Sequence, residues 1–374
     1  MESYLPVIWA TIMGLAVAIY VIFDGFDLGI GILFPFAADE RERDQMMNSV
    51  APFWDGNETW LVLGGAGLMV PFPLAYSIIL PALYLPVIVM LLALVFRGVA
   101  FEFRWIRVTS KRHWTFVFAA GSALAAFCQG VILGGLMQGI KVENGAFAGG
   151  PFDWATPFAV VCGLGLVAGY GLLGATWLVM KTEGTVATRA RIEAKLLLLV
   201  VIGFMAIVSI WTPLAFERIA TRWFSLPNIL FLWWIPAVTA LVAFAAWRWL
   251  DSDRDVLPFL AAIALFLLGY LGLLISNFPY LIPPSLTIWQ TAAAPATHVF
   301  FLMGTLVMLP IILGYMVFVY WIFSGKLREG EGYQRGQLSA RPSDRLSGRY
   351  REIIIQPLSK DYLPGERKTW RSAR

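Results

Sequence analysis

Ile19-Tyr20-Val21-Ile22-Phe23-Asp24-Gly25-Phe26-Asp27-Leu28-Gly29-Ile30-Gly31-Ile32-Leu33 places two carboxylates inside an apolar run that extends over 5–36. An acidic side chain in hydrocarbon costs roughly 2.5–3.5 kcal/mol on insertion scales, so intramembrane acids are functional candidates by default. A second pair follows in Trp54-Asp55-Gly56-Asn57-Glu58. Both pairs have i, i+3 spacing, which puts each pair on one face of a helix.

The rest of the chain identifies the solvent. Of 374 residues, 59% are hydrophobic and only 14% charged, and the mean hydropathy is +0.72. Soluble domains run about 45–50% apolar and about 25% charged. Apolar runs of about 20 residues recur along most of the length, the pattern of an all-α, polytopic transmembrane bundle. Nine spans are expected: 5–36, 50–72, 76–97, 115–138, 156–180, 194–213, 228–249, 256–277 and 298–323. Pro71-Phe72-Pro73 leaves room only for a tight hairpin between the second and third. Glu2 stands where a cleavable signal would be basic, and apolar helix continues past Ala16 and Ala18, so the first run is read as a span.

The Lys/Arg bias of short loops sets the orientation. With nine spans, 25 of the 28 basic residues fall on one side, leaving Lys141, Arg218 and Arg222 on the other. The N-terminus is then outside and the C-terminus cytoplasmic. Asp24 and Asp27 lie in the cytoplasmic third of the first span, Asp55 at the mouth of the second, and Glu58 one turn deeper. Phe96-Arg97-Gly98-Val99-Ala100-Phe101-Glu102-Phe103-Arg104 ends the third span on the same side, so Arg97, Glu102 and Arg104 are expected to converge with the four acids.

Two readings of this cluster compete. In one, the acids pair with Arg97 and Arg104, hold three helices together and do no chemistry, because unpaired buried charge is costly. In the other they form a proton entry, a use to which chains of Asp and Glu in bundles are put. Asp55, between Trp54 and Asn57 at a span entrance, fits that use best. Gly25, Gly29 and Gly31 suit close helix packing.

Haem within a bundle needs axial His, Met or Cys. The chain has two histidines, His113 in a cytoplasmic loop and His298 at the outer start of the last span, so no facing pair is expected. Met69, Met90 and Met137 read as apolar filler, and Cys128 and Cys162 as small buried hydrophobes too few for a disulfide framework. No metal-ligand spacing, phosphate loop, nucleophile elbow or dinucleotide fingerprint is present.

Three motifs in order, Asp24–Gly29, Asn48-Ser49-Val50-Ala51-Pro52-Phe53-Trp54-Asp55-Gly56-Asn57-Glu58-Thr59-Trp60-Leu61 and Phe96–Arg104, resemble subunit II of cytochrome bd-type quinol oxidases, including the cyanide-insensitive variants. The resemblance covers about 1–325 and extends to Asn277-Phe278-Pro279-Tyr280. It implies a bacterial inner-membrane protein with a periplasmic N-terminus. It also implies a homologous subunit I as partner, which carries haem b, haem d and the quinol site, and in some relatives a small single-span subunit. Subunit II of this type binds no haem; some members hold a structural quinone. The complex oxidises quinol outside and takes protons from the cytoplasm to reduce oxygen to water. The aspartate of the Trp-Asp-Gly-Asn motif, here Asp55, then lies on the proton pathway, with Glu58, Asp27 and Asp24 as further members. Arg97, Glu102 and Arg104 are left as ion-pairing residues.

Outside the resemblance, a tail over 326–374 is basic, lacks a helical period and is expected to be disordered and cytoplasmic, near anionic lipid. The loop 278–297 carries no charge and four prolines, and is expected to cover the outer end with Tyr280 and Trp289 at headgroup depth. Membrane lipid, not nucleic acid, is the expected surroundings. A proton-coupled transporter would share the intramembrane acids, but neither an internal repeat nor a matched pair of broken helices supports it. A purely structural subunit is the third possibility.

Overall fold

The computed structural model describes residues 4–106 and 111–327; the expectations for the tail beyond 327 and for Arg107 lie outside them. In chain order the helices are α1 (Leu5–Leu33), α2 (Glu40–Asn48), α3 (Trp54–Met69), α4 (Pro73–Ala82), α5 (Tyr84–Ile106), α6 (Lys111–Gln138), α7 (Pro157–Lys181), α8 (Thr185–Ala215), α9 (Glu217–Phe224), α10 (Asn228–Leu232), α11 (Trp234–Trp249), α12 (Val256–Asn277) and α13 (Pro295–Ile322). Two short hairpins interrupt them, β1 (Val142–Glu143) with β2 (Ala146–Phe147), and β3 (Tyr280–Ile282) with β4 (Leu286–Thr287). Among the described residues, eight helices or helix pairs are long and apolar enough to cross a membrane, and α3 with α4 forms one more candidate bent by 115°. The protein is a multi-pass membrane protein.

The core is set by glycine. A Cβ added at Gly29 would lie 1.9 Å from the Tyr170 carbonyl oxygen, and one at Gly174 2.5 Å from the Gly29 carbonyl carbon. α1 and α7 therefore touch backbone to backbone, the approach that small residues allow in membrane bundles. α6 and α7 meet the same way, with Gly130 against the Cys162 carbonyl. Phe26 then stacks on Trp177 at 4.0 Å.

Polar contacts sort the helix ends into two groups. At one end Arg189 of α8 bonds the Phe36 carbonyl and Glu42, both at 2.7 Å. Arg191 bonds the carbonyls of Leu250 and Ser252, and Lys181 donates to the Phe323 carbonyl at 2.7 Å. At the other end Arg218 bonds the Met137 carbonyl, Trp223 bonds Ser276, and Ile140 N–H donates to the Pro283 carbonyl. The described basic residues of the crowded side thus gather at one end of the bundle.

Three features differ from the expectation. The loop after the first span contains a helix, α2, started by Asp39, whose carboxylate accepts from Glu42 N–H while Glu42 accepts from Ala38 N–H. This is a variant of the capping box. Second, Pro71-Phe72-Pro73 is not a hairpin between two full spans. α3, sixteen residues long and so about 24 Å, runs from the basic end, where Trp54 meets Phe101, to the opposite end. There the Pro71 carbonyl accepts from Ala293 N–H and contacts His298 Nε2. α4 then turns across that end and packs with the hairpins in a separate apolar cluster of Phe72, Ile78, Ile282 and Ile288.

Third, the span expected at 76–97 is Tyr84–Trp105. The chain breaks at Leu83, where Pro86 has no N–H to offer the Ala82 carbonyl. Loop 278–297 lies over the bundle end as expected, with Ile282 and Ile288 buried.

α13 is apolar on all sides and exposed over most of its length. Its contacts are few and specific. Trp9 Nε1 bonds the His298 carbonyl, Trp60 Nε1 contacts Met316 Sδ, and Tyr320 bonds Asn57.

Candidate functional site

Six helices bring polar side chains to one buried locus. α1 supplies Tyr20, Asp24 and Asp27; α3 supplies Asn57 and Glu58; α5 supplies Arg97. Gln129 comes from α6, Tyr170 from α7 and Tyr320 from α13. Asp24 lies nine residues before the end of α1, and Arg97 nine before the end of α5. At 1.5 Å per residue both are about 13 Å in from the basic end, which is why they meet.

Arg97 is the centre. Its Nη1 lies 3.2 Å from Asp24 Oδ1 and 3.4 Å from Glu58 Oε2. The Arg97 and Asp24 side chains are 2% and 1% exposed, whereas Glu58 is 30% exposed. One nitrogen is therefore shared between an inner and an outer carboxylate, at distances longer than the roughly 2.7–2.9 Å of a tight charge-assisted bond. Asp27 has a neutral partner: Asn57 Nδ2 donates to Asp27 Oδ2 at 2.7 Å, and Asn57 Oδ1 accepts from the Tyr320 hydroxyl at 2.9 Å. A third strand joins Tyr170, which donates to Gln129 Oε1 at 2.6 Å, and Gln129, which donates to the Tyr20 hydroxyl oxygen at 2.7 Å.

Asp24 Oδ2, Asp27 Oδ1 and Arg97 Nε are buried without a hydrogen-bond partner among the described residues. A buried polar group left without a partner costs about 1–3 kcal/mol, so the fold holds the Asp27 and Arg97 atoms against their own solvation preference. A polar cluster of this kind can hold and pass protons or tie together the helices that carry it.

Arg104 forms a second, separate group. Its two terminal nitrogens bond Glu40 and Asp44 of α2, each at 2.7 Å. Its guanidinium lies over the Phe34 ring at 5.0 Å, and Lys111 reaches Asp44 at 3.5 Å. This group ties α2 to the end of α5.

The single seven-membered cluster expected from the motifs is thus divided. Asp24, Asp27, Glu58 and Arg97 come together. Arg104 turns to acids of α2. Glu102 joins no ion pair among the described residues and is exposed. Five residues at about 100° each put it some 140° away from Arg97, whereas Arg104, seven residues on, shares the Arg97 face. Asp55 is exposed on the flank of α3 and touches none of the buried acids; its carbonyl accepts from Thr59. Tyr20, Gln129, Tyr170, Tyr320, Glu40 and Asp44 escape the motifs. Tyr20 alone carried a usable signal, as the residue one turn before Asp24.

The comparisons with known proteins agree with this architecture. Residues 5–323 match the family model described as cytochrome bd terminal oxidase subunit II. The chain is 29% identical to cytochrome bd-I ubiquinol oxidase subunit 2 of Escherichia coli (strain K12) over 357 residues, covering 86% of this chain and 94% of the relative. It is 29% identical to cytochrome bd ubiquinol oxidase subunit 2 of Bacillus subtilis (strain 168) over 211 residues, 54% of this chain and 60% of the relative. In fold it resembles a chain of the bd oxidase from Geobacillus thermodenitrificans, with a TM-score of 0.67 and 18% identity over 85% of this chain and 98% of that one. A family match along almost the whole described chain places this protein in the family of cytochrome bd terminal oxidase subunit II.

Proposed function

We propose that this chain is the haem-free subunit of a quinol-oxidising, oxygen-reducing complex in a bacterial inner membrane, and that it provides a cytoplasmic entry for the protons consumed there. The observation that carries the proton reading is the Asp24–Arg97–Glu58 group, buried at Asp24 and part-exposed at Glu58. Asp55, exposed one turn before Glu58 on α3, is taken as the outer end of this path, and Glu58 shares Arg97 with fully buried Asp24. A carboxylate on the flank of a membrane helix is stable against water or protein, not against lipid. The Asp55 and Glu58 side of α3 therefore faces water or protein, and in this reading the haem-bearing subunit I packs beside it.

The chain's own donors suit this division of labour. His298 Nε2 is engaged with the Pro71 carbonyl in a buried pocket, and His113 stands exposed near the start of α6, at the opposite end. The two do not fit axial ligation of one haem, so haem b and haem d belong to the partner, where they supply the electron transfer. Arg97 balances the buried acids, Asn57 orients Asp27, and Trp54 and Phe101 close the entrance from the side. α13 adds an apolar face for lipid or a small single-span subunit.

In this account nine crossings, with α3 as the second, put the basic end in the cytoplasm by the charge rule. The membrane domain ends near 325 and the tail 326–374 stays in the cytoplasm. Purification from native membranes tests the assignment. The chain should travel with a haem-bearing subunit whose redox difference spectrum shows b- and d-type haem, and the complex should consume oxygen with quinol. A haem-free chain that carries protons alone in liposomes would make it a transporter instead.

A further inference from the structure

Asp24 is approached from behind by three residues that the path just described does not use. Tyr20 lies one turn before it on α1, beside its carboxylate. Gln129 Nε2 donates to the Tyr20 oxygen at 2.7 Å, and Gln129 Oε1 accepts the Tyr170 hydroxyl at 2.6 Å. Tyr20 and Tyr170 are buried. The Tyr170 ring is seated by glycine: a Cβ at Gly25 would come within 2.9 Å of it, and the ring stacks on Phe266 at 5.8 Å.

The hydrogen-bond chemistry gives this chain a direction. A phenol has one hydrogen, and because the Tyr20 oxygen already accepts from Gln129, that hydrogen is left for another acceptor. Asp24 Oδ2, buried and otherwise unpartnered among the described residues, is the acceptor one turn away. Turning the Gln129 amide round would make Tyr20 donate into it, and would leave the Asp24 oxygen with no donor. The anionic partner of Arg97 therefore selects the orientation in which every donor points toward Asp24. The central link is an amide, which passes polarisation along the chain but does not exchange protons as a carboxylate or water does.

We propose that Tyr20, Gln129 and Tyr170 are positioning residues for Asp24. They fix its carboxylate toward Arg97 and close the polar path on the α6–α7 side, so that a proton reaching Asp24 has no exit in that direction. The inference rests on the proton-entry reading. The charged and titratable groups around Asp24 are Tyr20 and Asp27 on α1, Glu58 on α3, Arg97 on α5 and Tyr170 on α7.

Tyr170→Phe tests it, because the change removes one hydroxyl and keeps the stacked ring. In the purified two-subunit oxidase the variant should keep its haem spectrum. Its quinol-driven turnover should fall about three- to tenfold, the size of one lost hydrogen bond of about 1 kcal/mol. The pH of half-maximal turnover should move by about half a unit or more. Gln129→Met should give the same displacement, and Gln129→Asn less of it. A wild-type pH profile in Tyr170→Phe would overturn the proposal; so would loss of the haem spectrum, which would make the chain a packing feature. Asp55→Asn, measured alongside, separates the two levels. If it is also silent, the proton-entry reading fails as well; if it is slow while Tyr170→Phe is normal, only the present inference fails.

Discussion

Arg97 and Arg104 lie on one helix, one heptad apart, and do different work. Arg104 is held by two short bonds to separate acids at a helix end. Arg97 shares one nitrogen between two carboxylates in the interior. Removing a partner of a buried pair typically costs about 3–5 kcal/mol, because the remaining charge is left uncompensated. Arg97→Ala should accordingly lower the yield and melting temperature of the assembled complex, as read by a thermal shift of the purified oxidase. Glu102→Ala should change that temperature little, within about 0.5 kcal/mol of stability, as for an exposed side chain with no specific role. A large loss in Glu102→Ala would place that residue in a contact with another subunit. The four buried-cluster residues Asp24, Asp27, Glu58 and Arg97 were legible because each carries charge in an apolar context. Tyr20, Gln129 and Tyr170 were not, because a tyrosine or glutamine in a membrane helix is unremarkable until its neighbours are known.

At the scale of elements, seven of the nine expected spans match helices to within a few residues at most ends, since a 20-residue apolar run has few other options in lipid. The errors cluster where proline or polarity competes with hydropathy. The run from 73 to 96 carries no charge, so hydropathy alone cannot locate the break at Leu83 that divides α4 from α5. α2 is too polar to register as a span, yet its capping residues Asp39 and Glu42 are readable. The β1–β2 hairpin has a signal of its own in Asn144-Gly145, both at positive φ, the residues favoured by a two-residue turn. Close packing of α1 on α7 yields a prediction at this scale. Gly29→Ala would set a methyl 1.9 Å from the Tyr170 carbonyl, so the helices must separate. The variant should assemble poorly or melt several degrees lower, whereas Gly56→Ala, with open space around it, should melt like the wild type.

For the whole molecule, the division of basic residues between two ends is the property on which orientation depends. It is legible from loop charge on the expected nine crossings, and contacts such as Arg189 with Glu42 join the loops of one end directly. Cysteine labelling in intact cells would fix the side. After Cys128 and Cys162 are replaced, Gly145→Cys between β1 and β2 should react with a membrane-impermeant maleimide. Asp253→Cys, between α11 and α12, should react only after the membrane is opened. The reverse pattern would invert the topology and move the acids to the outer face.

That inversion would remove the basis of the central claim, which is that this subunit delivers cytoplasmic protons to its partner's reaction. The most direct measurement is proton uptake during single turnover of the fully reduced complex with oxygen, compared between wild type and Asp55→Asn. Uptake and oxygen reduction should be slowed together in Asp55→Asn, by about tenfold or more as for loss of a positioned proton-transfer group, with the haem spectrum unchanged. Uptake at the wild-type rate in Asp55→Asn would contradict the claim.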